Sequence, residues 1–262
     1  MSQRATVLTC IVIGVFVGLA PAYGATDTVK PEDFVYLGAF RLPGNGERPE
    51  PFSYGGNAMT FNPAGDPSGS GDGFTGSLFV MGHERLPYDE LPNGNQIAEV
   101  SIPKPVVSES VGALPQAGFV QPFTDATRGL FPQYSEIPRI GMELVDDPAT
   151  GPKLHLAWGQ HFHEDDSERG PTHGWIALDL ANPNPQGFWY IGKQSLYSVN
   201  GYLFEIPRAW ADAHAGGRRL ATGRYRDGGW SGQGPALFAY VPWTGEDGAA
   251  AADGTHLKET TL

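Results

Sequence analysis

The feature that most constrains this chain is a strand pattern that recurs three times. In the first occurrence the strand-like runs cover 58–61, 77–81 and 96–102. In the last of these, Ile97, Glu99 and Ser101 alternate with Ala98, Val100 and Ile102, the two-residue period of a strand. The second occurrence covers 141–145, 153–158 and 174–180, and the third covers 201–206, 218–222 and 235–241. The first link of the first two units shares a turn chemistry. Asn62-Pro63-Ala64-Gly65-Asp66 corresponds to Asp146-Asp147-Pro148-Ala149-Thr150-Gly151, where Pro and Gly enforce a reversal. In the third unit that link holds a helix signal instead. Pro207 suits a first helical position, Ala209 to His214 a helix body, and Gly216-Gly217 a stop. An additional strand is expected over 34–40.

Small antiparallel sheets repeated every 60–85 residues resemble the blades of a β-propeller with long insertions. The resemblance spans residues 33–243 and is to the superfold only. There is no WD dipeptide, kelch glycine pair or sialidase Asp-box in the sequence. The expected fold is therefore all-β, with antiparallel propeller-like repeats near 54–103, 139–181 and 200–243 forming a partial or truncated propeller. A β-sandwich is the alternative. Residues 25–245 form this domain, and 246–262, without strand alternation, read as a flexible tail.

Ahead of the repeats, Arg4 precedes an apolar run over 5–19, then Ala22 and Gly24 at the spacing a signal peptidase accepts. The run is shorter than the ~20 residues a spanning helix needs. Residues 1–24 are thus expected to be a cleaved signal peptide, placing the protein in the periplasm or outside the cell. Cys10, the one cysteine, lies within that run, so the remaining chain has no thiol for a disulfide, a Cys-ligated zinc or a nucleophile. A net charge of −12 without a basic stripe argues against nucleic acid. After signal cleavage no membrane contact is expected. Turn-rich β structure accounts for 36 Gly and 23 Pro.

In a propeller, the segments that follow the second strand and precede the first emerge on one face. Of seven histidines, His83, His161 and His163 follow second strands. The densest cluster is Gln160-His161-Phe162-His163-Glu164-Asp165-Asp166. Two His at i, i+2 on an extended segment point the same way, so His161, His163 and Glu164 form a candidate site for a divalent metal. The metal-free alternative is an acid–base site drawn from His83, Glu84, Arg139, His161 and Arg224, with Tyr54 or Tyr225 as an acid. A hydrolase could instead use two carboxylates, for which Glu84 and Glu143 are candidates. Asp66 to Gly73 has the composition of a calcium loop without its order. The functional expectation is an exported carbohydrate-active enzyme, a glycan hydrolase or lyase, acting on an extracellular glycan. The alternative is a non-catalytic extracellular binding or assembly protein. In either case open sheet edges would favour association between copies.

Overall fold

The computed structural model describes residues 29–44, 52, 56, 58–67, 69, 74–82, 96–129, 141–158, 169–223, 237–244 and 248–262. The expected signal peptide lies outside them. The chain divides into two compact units, residues 1–36 and 37–262. In the first, Pro31–Asp33 form one 3-10 turn, closed where the Lys30 N–H donates to Asp33 Oδ2 at 2.8 Å.

Among its described residues the second unit is all-β apart from one helix and short 3-10 turns. Strands β1 (Met59–Asn62), β2 (Ser77–Met81), β3 (Ile97–Ser101) and β4 (Phe119–Thr124) form sheet 1 in sequence order, every pair antiparallel. Sheet 2 repeats the meander with β5 (Gly141–Asp147), β6 (Gly151–Ala157), β7 (His173–Ile176) and β8 (Gln186–Ile191). Sheet 3 is built on β9 (Tyr202–Glu205), β10 (Leu220–Gly223) and β11 (Leu237–Tyr240), and helix α1 (Arg208–His214) links its first two strands. Pro207 caps that helix, one position earlier than its expected place inside it.

All nine repeat strands of the sequence analysis are therefore present, within a few residues of their expected ends. The matched turns also share a mechanism. Asn62 and Asp147 each end the first strand of a unit. Their side-chain oxygens accept the N–H two residues on, from Ala64 at 3.1 Å and Ala149 at 2.9 Å.

Three regions differ from expectation. Residues 34–40 do not form a strand; Ala39 makes a single bridge to Val106. Gly38 sits at φ +128°, and a Cβ there would lie 2.5 Å from the Val106 carbonyl carbon, so the chain bends where a strand would run straight. The fourth strands β4 and β8 are additions. Pro122 lies within β4, an edge strand where a missing N–H is tolerated. The C-terminal residues, expected as a tail, are tied into the fold. They form β12 (Trp243–Thr244) paired with β13 (Ala249–Ala250), β14 (His256–Leu257) parallel to β8, and β15 (Thr260–Thr261) on β11. Two-residue strands carry no alternation, so only their partners define them, a local one for β12 and β13 and distant ones for β14 and β15.

The sheets stack face to face. Phe79, Met81 and Ile97 of sheet 1 pack against Met142, Leu154, Leu156 and Ile176 of sheet 2. The opposite face of sheet 2, with Val145, Trp175, Trp189 and Ile191, packs against Leu203, Leu220, Phe238 and Tyr240 of sheet 3. Sheet 2 is thus buried on both faces, which is why β7 is buried throughout and shows no polar alternation. The outer faces are covered too. Phe40, Leu42 and Phe52 lie over Val80 and Val100 of sheet 1, while Ala211 of α1 and its C-cap Ala215 lie over Ala221 and Ala239 of sheet 3.

The first strands adjoin one another, β1 beside β5 and β5 beside β9. A Cβ on Gly141 would lie 2.6 Å from the Tyr202 carbonyl carbon, so glycine permits β5 to start against β9. Among the described residues the sheets close neither a barrel nor a propeller ring.

Candidate carboxylate site on the first strands

The residues proposed from sequence to act after the second strands, His83, Glu84, Arg139, His161, His163, Glu164 and Arg224, lie outside the described residues, as do Tyr54 and Tyr225. Their flanking strands occupy equivalent places: β2, β6 and β10 are each the second strand of their sheet. Among the described residues no group of three His, Cys, Asp or Glu is close enough to hold a metal ion. No described helix is long and apolar enough to cross a membrane.

Glu143, the other carboxylate considered from sequence, is in the middle of β5, half-buried, where the three first strands meet. Thr60 of β1 donates its hydroxyl to Glu143 Oε2 at 3.3 Å and accepts the Leu144 N–H at 3.1 Å. On the other side the backbone N–H of Glu205, the last residue of β9, bonds the Glu143 carboxylate. One side chain thus bridges all three sheets. Burial pushes its pKa above the ordinary Glu value. The two hydrogen bonds pull it down by less, and the nearby Glu205 charge adds to the rise.

Glu205 has a different environment. Its carboxylate is ion-paired with Arg219, whose side chain is 8% exposed. Arg219 also donates from Nε to the Ile206 carbonyl at 3.2 Å and lies 3.6 Å from Asp147 Oδ2. Asp147 in turn accepts from Arg208 of α1 at 2.8 Å. The carboxylates Glu143 and Glu205 therefore share one place but not one charge balance. Burial raises the pKa of Glu143, while Glu205 has a buried guanidinium against it.

Beside them lie two buried histidines. His155 is directly opposite Glu143 across β5 and β6, with Trp175 opposite it on its other side. His173 is opposite Ala157 on the same face. Burial pushes both imidazoles down to about 3. A shallow depression elsewhere is lined by Arg128 and residues 182–185, near the outer strands β4 and β8.

Glu143 could be found in the sequence as a charge inside an apolar strand. Glu205 carries the same signal in the third unit. Arg219, His155 and His173 do not, because their proximity is made by stacking sheet 2 on sheet 3. Compared with protein-family models, curated proteins and solved structures, the chain matches none of them.

Proposed function

We propose that this chain is an exported glycan-cleaving enzyme on a partial propeller, working by carboxylate acid–base chemistry at Glu143 and Glu205. Three meanders with their first strands side by side support the propeller reading, since in that superfold first strands line the axis. The observation that carries the enzymatic reading is the environment of Glu143, a half-buried carboxyl with a raised pKa beside an Arg-paired carboxylate. In glycan hydrolysis the first group protonates the leaving oxygen and the second acts as base or nucleophile. The histidine-rich segment with His161, His163 and Glu164 remains the proposed place for a divalent metal. His83, Glu84, Arg139 and Arg224 remain proposed contributors from neighbouring segments. Export to the periplasm or beyond belongs to the same proposal.

The test is release of reducing ends from a panel of neutral and acidic polysaccharides. Glu143→Gln should lower turnover by ~100-fold or more with an unchanged circular dichroism spectrum. Full activity in that variant would exclude Glu143 as the acid. A second reading, a non-catalytic glycan-binding or assembly protein, is favoured by the ties that Glu143 makes to Thr60 and Glu205, which would also suit a purely structural role. Retention on immobilised glycan without turnover would select it. Met59 and Phe61 on β1 and Phe204 on β9 are apolar and about half exposed, which suits association between copies in either case.

A further inference from the structure

We infer that the joint between sheets 2 and 3 is an acid-sensitive latch, in which charging the sealed imidazoles of His155 and His173 parts the two sheets and separates Glu143 from Glu205. The inference rests on packing and holds whether the protein cleaves glycans or only binds them.

Both histidines are completely buried, on the face of sheet 2 that meets sheet 3. Among the described residues neither ring nitrogen of His155 has a hydrogen-bond partner. The ring sits 5.4 Å from Trp175, nearly perpendicular to it, and 6.1 Å from Trp243. This is an environment for a neutral ring. A charged one would have no acceptor there to replace water.

His173 joins the sheets directly. Its Nε2 is 2.9 Å from the hydroxyl of Thr222 on β10, and its Nδ1 is 2.7 Å from the Thr172 hydroxyl. The Thr222 hydroxyl donates to the Val199 carbonyl at 2.9 Å. Its oxygen is therefore left to accept from His173, which assigns the proton of the neutral ring to Nε2 and leaves Nδ1 to accept from Thr172. A second proton, on Nδ1, would require the Thr172 hydroxyl to turn and accept, giving up the bond it donates to the neutral ring.

The charges around the joint do not compensate. From β6, Lys153 adds positive charge toward His155. From β5, Asp147 is engaged with Arg208 of α1 and with Arg219. From β9, Glu205 is engaged with Arg219. From β11, Tyr240 meets the His173 ring edge-on at 5.0 Å, and burial holds its hydroxyl protonated. Glu143 is the carboxyl opposite His155, and burial raises its pKa, so as pH falls it loses its charge earlier than an ordinary Glu.

The direction follows from linkage. Both imidazoles are held near 3, against 6.5 in a solvated chain. The unfolded or opened state therefore binds protons first. The stability contributed by the neutral imidazoles is present above pH 6.5 and is lost progressively as pH falls from 6.5 toward 3, while the raised pKa of Glu143 acts in the opposite direction. Sheet 1 carries no described histidine, so the loss concentrates on the sheet 2–sheet 3 joint.

The experiment is hydrogen–deuterium exchange of the full chain at pH 7, 5 and 4, with labelling times corrected for intrinsic exchange. The expected result is that β9, β10 and β11 lose protection at a higher pH than β1 to β4. The variant His155→Phe, which keeps an aromatic ring but has no proton to gain, should move that loss to lower pH by about one unit. Loss of protection in all sheets at one pH, earlier loss in sheet 1, or full protection of sheet 3 at pH 4 would each overturn the latch. So would an unshifted transition in His155→Phe. If that variant does not fold, the order of opening in the unaltered chain decides alone. Neither readout involves glycan turnover, so the latch and the enzymatic reading stand or fall separately.

Discussion

The two joints in this stack handle buried polar groups in opposite ways. Between sheets 1 and 2, Glu99 is 3% exposed yet fully engaged. It accepts from Asn62 at 2.9 Å, from Gln121 at 2.6 Å and from the Ser77 hydroxyl. Gln121 then crosses the joint, donating to the Leu178 carbonyl at 2.8 Å and accepting the Leu180 N–H at 2.8 Å. Between sheets 2 and 3, among the described residues, His155 has no hydrogen bond at either nitrogen, and Nη1 of Arg219 has an ion pair with Asp147 but no hydrogen bond. A buried carboxylate with donors on both oxygens acts as a fixed pin. A buried imidazole without partners is tolerated only while neutral. The first joint is therefore the anchor and the second is the place where protonation acts. The candidate site straddles the second.

Several substitutions would break or sharpen that contrast. The largest stability effect is expected for Arg219→Ala, which leaves Glu205 without its cation and Asp147 with only the exposed Arg208. Chemical denaturation should show a loss of about 3 kcal/mol, because removing one partner from a buried charge cluster strands the other. Sheet 3 should be the part that loosens. A loss under about 0.5 kcal/mol would show that the ion cluster is not holding the joint.

Glu99→Gln is next. An amide can still accept from Asn62 or Ser77, but its own NH2 then faces that of Gln121, so about 2 kcal/mol should be lost. If this variant were as stable as the parent, sheets 1 and 2 would be held by apolar packing alone and the contrast would fail.

Thr60→Val tests the site more than the fold. It removes the hydroxyl that bonds Glu143 and the acceptor for the Leu144 N–H, at a cost of about 1 kcal/mol. The Thr60 hydrogen bond lowers the Glu143 pKa, so its loss should raise that pKa further. A general acid works while protonated, and activity falls as pH rises through its pKa. The basic limb of the pH–rate profile should therefore move to higher pH. An unmoved limb would assign it to another group.

The smallest effect is expected at His256. Read as part of a tail, it would be a silent position. In the structure its ring stacks on Tyr190 at 4.2 Å, and its Nδ1 lies 2.9 Å from the Gly192 carbonyl. His256→Ala should cost about 0.5 kcal/mol, as an exposed contact on a short strand. Thermal melts with and without truncation at residue 255 would separate this contact from the rest of the C-terminal strap.

How far the sequence could be read follows from these particulars. Alternation, or a short apolar run where both faces are buried as in β7, identified β1 to β3 and their counterparts, because either signal lies within a span of a few residues. Helix α1 was legible for the same reason, through Pro207 and Gly216-Gly217. Strand β4 was not, because Pro122 interrupts its donor row and the register shifts beside Glu99 displace its alternation. The strap of β13, β14 and β15 was not, because two-residue strands carry no alternation, and β14 and β15 owe their pairing to strands distant in sequence. Glu143 and Glu205 each stand as a charge in an apolar strand, but that the two come together could not be read, because β5 and β9 meet only in the stacked sheets.

What the sequence determined by itself is local: nine strands, one helix, and the turns in which Asn62 and Asp147 cap the N–H groups of Ala64 and Ala149. Tertiary structure alone decided which faces meet. Because side chains alternate across a strand, placing Leu154 and Leu156 toward sheet 1 commits His155 to the sheet 3 side. There Trp175, Trp243 and β10 close over it and its neighbour His173. The charge state of those rings, and the raised pKa of Glu143, are properties of that enclosure. No stretch of sequence contains them, since desolvation arises only when residues far apart in the chain exclude water together.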